Sequence, residues 1–443
     1  MKARPAVSVL ASLAILAIAP PVHAQDEVLP AASIRLRSQT AWTTPAEPVM
    51  RIDAVVSNDG ATAIDAPELG WTLGPRIGAR DEYERALLEG PSLPAAADTR
   101  LLPAPLESGG SERVRLEIDT SLYTAINQTE SGVYPLGLEL RSEGTSIAAV
   151  TTAAIHITQT PQKRVAFSWW TELEVPVAFA PDGTMIDGRF EASLAAGGSI
   201  AAQVAEIAEV LEAADRGPDD EEAPAVDLVV SPSALDQLQQ AADGFRRPDA
   251  TLVAETDPAA LAAASTLARL RDLAGDPDVR LHATPFAAPR HPSLLSSPFL
   301  REHLDDQWRL GDATFERILG EPPDARVARP PGLALDAASI DELADRNTET
   351  ILGAADSVER PTDVLDLAPP PAARLTTSAG TQVDIVLPDP STQALLLDRD
   401  LVTTDPVRAA QVVLGELATI WRELPVPPDP DVRGLAIDVP RDL

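Results

Sequence analysis

The feature that most constrains this chain is a change of hydrophobic period near residue 160. Before it, apolar and polar residues alternate: Ser33-Ile34-Arg35-Leu36-Arg37, Val49 to Val56 in part, and Arg113 to Ile118 repeat every second residue, as strands with one buried face require. Tyr134 to Leu140 and Ala153 to Ile157 extend the set, with turn signals at Asn58-Asp59-Gly60 and Ser108-Gly109-Gly110. Asp81 to Glu89 reads as one short helix among them. Short half-buried strands in this number predict an antiparallel β-sandwich over residues 32–159.

Past the polar segment Thr158 to Lys163 the alternation is lost. Apolar strands are predicted at Val165 to Trp170, Val226 to Val230, Thr251 to Val253, Val279 to Ala283, Arg326 to Ala328, Thr350 to Leu352, Val383 to Leu387 and Gly434 to Val439. Helical patterns come between them: Ser199 to Asp215, Ser233 to Asp243, Pro258 to Ala274, one long stretch from Ser293 to Leu319, Ser339 to Arg346, and Asp405 to Arg422. Buried strands separated by helices require parallel pairing with the helices outside. Residues 164–443 therefore predict an α/β barrel of about seven or eight strands. No helix follows the last strand, so either the barrel is incomplete at its C-terminus or the chain is part of something longer.

Lys2 and Arg4, the apolar run Val7 to Ala19 and the small-residue site Val22-His23-Ala24 predict a signal peptide over residues 1–24, cleaved near Ala24. The run is shorter than the ~20 residues that span a bilayer, so the product is expected outside the cytoplasm, anchored only if this segment stays uncut. A formal charge of −33 argues against nucleic acid as a partner, since phosphate binding needs a basic face, so none is expected. The absence of cysteine removes disulfides, thiolate metal sites and cysteine nucleophiles together. Lysine occurs only at Lys2 and Lys163, and the Ala- and Pro-rich composition suggests a high-GC bacterial genome.

The histidines are His23, His156, His282, His291 and His303, with no HxxxH or HExxH pair, so no metal is expected. Gly-x-Ser-x-Gly, GxGxxG and Walker loops are missing too, which leaves no nucleotide or other cofactor expected. Ser231-Pro232-Ser233 reads as a helix start with Ser233 as the cap, and Asp219 to Glu222 as a solvated acidic loop. The remaining candidates lie where barrel strands end, since that rim faces the ligand in such folds. They are Trp169, Trp170, Glu172, Ser231, Glu255, Thr284, Arg290, His291, Arg329, Asp356, Asp389 and Asp438. Tryptophans beside carboxylates suit sugar stacking, and hydrolysis would need two carboxyl groups roughly 5 to 9.5 Å apart. Against this, at least one of the two tryptophans is expected in the core, and Asp389 between two prolines is an ordinary turn former.

A wider pattern carries a resemblance. Gly132-Val133-Tyr134-Pro135-Leu136-Gly137-Leu138-Glu139-Leu140, Ser231-Pro232-Ser233-Ala234-Leu235, Ala242-Asp243-Gly244-Phe245, Thr284-Pro285-Phe286-Ala287-Ala288-Pro289 and Arg329-Pro330-Pro331-Gly332-Leu333 follow one another in order. Together they resemble an uncharacterised secreted family of actinobacteria, encoded beside the lipid II flippase of the MurJ/MviN type. The resemblance implies a sandwich followed by a barrel of the glycoside hydrolase/deacetylase kind, with a C-terminal membrane helix in relatives that this sequence does not show. Where relatives read Pro-Tyr-Ala-Asp-Pro-Asp, this chain has Phe286, Ala288 and Arg290, so both acidic positions are replaced. The expectation is thus a non-catalytic cell-envelope protein that binds cell-wall glycan or membrane-associated envelope machinery. The alternative is a carbohydrate-active hydrolase or deacetylase-like enzyme acting on cell-wall polysaccharide through rim carboxylates.

Overall fold

The computed structural model describes residues 32–91, 96–123, 126, 130–158, 165–173, 175, 177–214, 226–320, 323–324, 326–354, 372–422 and 433–439. Residues 1–24, read from the sequence as a signal peptide, the acidic run 219–222 and Asp356 lie outside them.

The first half contains β1 (Ser33–Gln39), β2 (Val49–Ser57), β3 (Pro67–Leu73), α1 (Arg80–Glu89), β4 (Ala96–Leu101), β5 (Ser111–Asp119), β6 (Gly132–Ser142) and β7 (Thr145–His156). They form two antiparallel sheets, ordered β1-β2-β5 and β4-β3-β6-β7. The alternation read in the sequence decides which side each strand buries. Ile34, Leu36, Ile52, Leu116 and Ile118 from one sheet meet Leu69, Trp71, Leu136, Leu138 and Leu140 from the other in one core. The sequence reading missed β3 and β4: β4 is almost all exposed and carries no buried-face pattern, whereas β3 alternates the buried Leu69, Trp71 and Leu73 and its period was overlooked.

The second half runs β8 (Val165–Leu173), α2 (Arg189–Leu194), α3 (Ser199–Ala214), β9 (Val226–Val230), α4 (Pro232–Ala242), β10 (Phe245–Arg246), β11 (Leu252–Val253), α5 (Pro258–Ala274), β12 (Val279–His282), α6 (His291–Leu295) and α7 (Pro298–Leu319). It continues with β13 (Val327–Ala328), α8 (Ala337–Asp345), β14 (Thr350–Leu352), β15 (Ala372–Thr376), β16 (Gln382–Val386), α9 (Pro390–Leu397), α10 (Arg399–Thr404), α11 (Pro406–Arg422) and β17 (Arg433–Val439). One sheet, β12-β9-β8-β17, is parallel throughout; the other, β13-β14-β16-β15, is parallel except for the antiparallel edge strand β15. Two isolated parallel bridges connect the sheets, His282 at the end of β12 with Asp324 before β13, and Pro388 after β16 with Ala436 of β17. Val226, Leu228 and Val230 point into a core shared with α3, α4 and α5. On the opposite face Trp170, Val229, Leu352 and Ala436 meet, so strands of both sheets share an interior.

Three expectations need correction. Thr251 to Val253 gives no parallel strand: β11 pairs antiparallel with β10, because three short apolar residues fit a hairpin as well as a buried strand. The stretch Ser293 to Leu319 is two helices, broken before Pro298, where the proline disfavours helical backbone at Ser297 and starts α7 instead. The cap of α4 is Ser231, whose hydroxyl accepts from the Ala234 amide at 3.2 Å, with Pro232 rather than Ser233 opening the helix.

α11 belongs to both halves. Leu417 and Ile420 lie against Leu435 and Ile437 of β17, while Leu414 and Ala418 lie against Tyr83, Val133, Ala153 and Ile155. Polar bonds line the second contact: the Tyr83 hydroxyl donates to the Val412 carbonyl at 2.8 Å, Gln411 to the Ala153 carbonyl at 2.9 Å, and Arg408 to the Thr151 carbonyl at 2.8 Å. Gly415 permits the approach, since a Cβ there would lie 2.1 Å from the Tyr83 hydroxyl.

Candidate functional site at the strand ends

Strand alternation sends Ser168, Trp170 and Glu172 of β8 to the interior, with Asp227 on β9, His282 on β12 and Asp438 on β17. The Trp170 and His282 rings stack at 4.8 Å with 17° between planes. His282 Nε2 lies 2.8 Å from Asp227 Oδ1, and the Ser168 hydroxyl donates to Asp227 Oδ2 at 2.7 Å. Arg280 adds a longer contact to the same carboxylate at 3.5 Å. Asp227 is therefore a fixed, multiply bonded acceptor beneath the strand ends.

Above this layer Arg329, directly after β13, reaches both of the other acids. Its Nε and Nη2 donate to the two oxygens of Asp438 at 2.9 and 3.0 Å, and its Nη1 donates to Glu172. All three side chains are buried. Burial alone would lower the Arg329 pKa, but the hydrogen bonds and charges of Asp438 and Glu172 outweigh it and raise it. The guanidinium thus remains a permanent cation between the two carboxylates.

The rim residues separate into those the fold brings together and those it does not. Glu172, Arg329 and Asp438 converge; Thr284 is buried, with the Gly311 backbone of α7 set close to its carbonyl oxygen. Trp170 is 2% exposed and forms part of the interior, whereas Trp169 is 39% exposed on the other face of β8. Arg290 is exposed, and a Cβ on Gly332 would lie 3.8 Å from its Nε. Ala288 and Leu333, at φ 44° and 52°, form left-handed turns in these two loops, a conformation costing about 1–2 kcal/mol per residue.

His291 is 1% exposed and turns away from solvent towards Trp308, with ring centroids 5.8 Å apart. Burial, helped by the Arg346 charge and opposed by Asp336, pushes its pKa down to about 4. Glu255 sits in the exposed turn after β11 and does not join the Arg329 cluster. Asp389 caps α9, accepting from the Thr392 amide at 2.9 Å, and its carboxylate is taken by Arg80 of α1. That position is a seam between the two halves, not a rim.

Sequence reasoning overlooked Asp227. The signal was present: one acid inside the otherwise apolar strand Val226-Asp227-Leu228-Val229-Val230 must be buried and therefore paired. A groove of about 650 Å³ also occurs, but it lies between α3 and α5 beside Asp276 and Asp278, at the end where strands begin. Among the described residues no group of three His, Asp or Glu side chains could hold a metal ion, and no helix is long and apolar enough to cross a membrane.

No family model and no curated protein matches the chain. Among solved structures, a 4-alpha-glucanotransferase from Thermococcus litoralis aligns at 12% identity and a TM-score of 0.36, over 62% of this chain and 33% of that one. The alpha-amylase AmyC from Thermotoga maritima aligns at 12% identity and a TM-score of 0.32, over 52% of this chain and 47% of its own length. A CARDB domain from Pyrococcus furiosus aligns at 9% identity and a TM-score of 0.18, over 28% of this chain and 85% of that domain. The chain thus spans less than half the length of either of the two larger proteins.

Proposed function

We propose that this protein is an exported cell-envelope component in which a β-sandwich is joined to a closed barrel of seven parallel strands. The barrel mouth binds cell-wall glycan or a membrane-associated envelope partner without transforming it. Closure is supported by the two single bridges that connect β12 to the segment before β13 and β17 to the segment after β16, and by the interior shared by β8, β9, β14 and β17. Export is supported by the basic and apolar segment from Lys2 to Ala19 with its small-residue site before Gln25.

The observation that carries the non-catalytic reading is Arg329. Glycoside hydrolysis needs one carboxyl group with a proton for the leaving oxygen and a second that acts as nucleophile or base, with sugar or water between them. Here both acids act as acceptors for one guanidinium lying between them, which leaves neither free to serve as acid or nucleophile. The second reading, a carbohydrate-active hydrolase or deacetylase-like enzyme, draws on the convergence of Glu172 and Asp438 on a single point.

A glycan array probed with the exported form, run beside release assays on cell-wall polysaccharide, separates the two. Binding without released product is the expected result. Release that disappears in Glu172→Gln or Asp438→Asn would establish the hydrolase instead.

A further inference from the structure

The seam between α1 and α11 contains one cation for two acids. Arg80 donates from Nη1 to Asp389 at 2.9 Å and from Nε to Glu416 at 2.8 Å. Its side chain is 10% exposed, those of Asp389 and Glu416 3% and 0%. Asp389 is well satisfied, with two bonds from Arg80 and one from the Thr392 amide. Glu416 is not: its Oε2 is buried without a hydrogen-bond partner among the described residues. With both acids ionised the cluster carries one uncompensated negative charge away from water, an arrangement that low-dielectric surroundings penalise.

We propose that this cluster is a pH-operated latch: a proton on Glu416 holds the antiparallel half against α11, and its loss loosens the seam. The groups acting on Glu416 come from both sides. Arg80 and Glu84 belong to α1, Asp389 precedes α9, and Tyr83 of α1 feels the Glu416 charge in return. Where β1 and β7 meet the start of α11, the charged residues there are already engaged: Asp405, just before the helix, accepts from the Leu36 amide, and Arg408 donates to the Thr151 carbonyl.

Burial, opposed by Arg80 and assisted by Asp389 and Glu84, pushes the Glu416 pKa up to about 7 from an ordinary 4.5. An acid whose pKa is raised in the docked state favours docking fully below its solvent value and loses that contribution as pH rises towards the docked value. Docking therefore weakens about tenfold per pH unit between 4.5 and about 7, and does not weaken further above. Envelope surroundings that acidify would close the latch.

Hydrogen exchange on the full chain tests this, read on α1 and on residues 409–420 of α11 and corrected for intrinsic exchange rates. Wild-type protection there should fall about 40-fold from pH 5 to pH 7, while Glu416→Gln, a neutral stand-in for the protonated acid, stays level. A wild-type seam indifferent to pH, or an unchanged dependence in Glu416→Gln, overturns the proposal. Should the variant fail to fold, carboxyl NMR titration of the wild type decides: a Glu416 midpoint close to 4.5 overturns the latch, and one near 7 sustains it.

Discussion

Arg329 does by itself what two separate bases would otherwise do for Glu172 and Asp438, and its loss should therefore be felt twice. Arg329→Met would leave two buried carboxylates with no cation between them. We expect a loss of about 3–5 kcal/mol in denaturant unfolding, the range for breaking a buried pair from one side. Arg329→Lys should lose less, since a point charge can meet one acid but not reproduce the two-pronged contact with Asp438. Neutralising both acids in the Met background, with Glu172→Gln and Asp438→Asn, should recover part of the loss. A Met variant within about 1 kcal/mol of wild type would mean that the cluster is solvated and the mouth open.

At the scale of elements, α11 is the piece on which the architecture turns. Gly415→Ala would put a methyl group against the Tyr83 hydroxyl and 2.6 Å from the Ala153 side chain. Overpacking of this kind costs typically about 1–3 kcal/mol, and here it should show first as faster amide exchange in α1 and β7, ahead of β9. The helix itself was legible from its apolar spacing, as were α4, α5 and the alternating strands β2 and β5, because burial on one face leaves a period in the sequence. The exposed edge β4 has no buried face and left no period, while β11 is too short for its apolar residues to say which way it pairs. The site was legible only in part. Glu172, Arg329 and Asp438 stood out as polar residues at strand ends, but Arg329 and Glu172 are 157 positions apart, and no local rule pairs them. Asp389 misled for a related reason: its flanking prolines identify a turn but say nothing of Arg80, 309 positions away.

At the scale of the whole molecule, two buried groups oppose each other with pH. His291 titrates at about 4 in the folded chain against an ordinary 6.5, so its contribution to stability is complete above 6.5 and lost as pH falls towards 4. Glu416, raised to about 7 from 4.5, has the reverse sign: its contribution is complete below 4.5 and lost as pH rises towards 7. Between about pH 4.5 and 6.5 each slope is about 1.4 kcal/mol per pH unit, and the two cancel. Together these two groups should therefore add almost no slope to the unfolding free energy across this window. Replacing either group should expose the other: Glu416→Gln should gain stability as pH rises, and His291→Leu should lose it. Urea titrations of the three proteins at pH 4.5, 5.5 and 6.5 measure this directly. A His291→Leu profile parallel to wild type would show that the imidazole is solvated, and an unchanged Glu416→Gln profile would remove the buried charge from the seam.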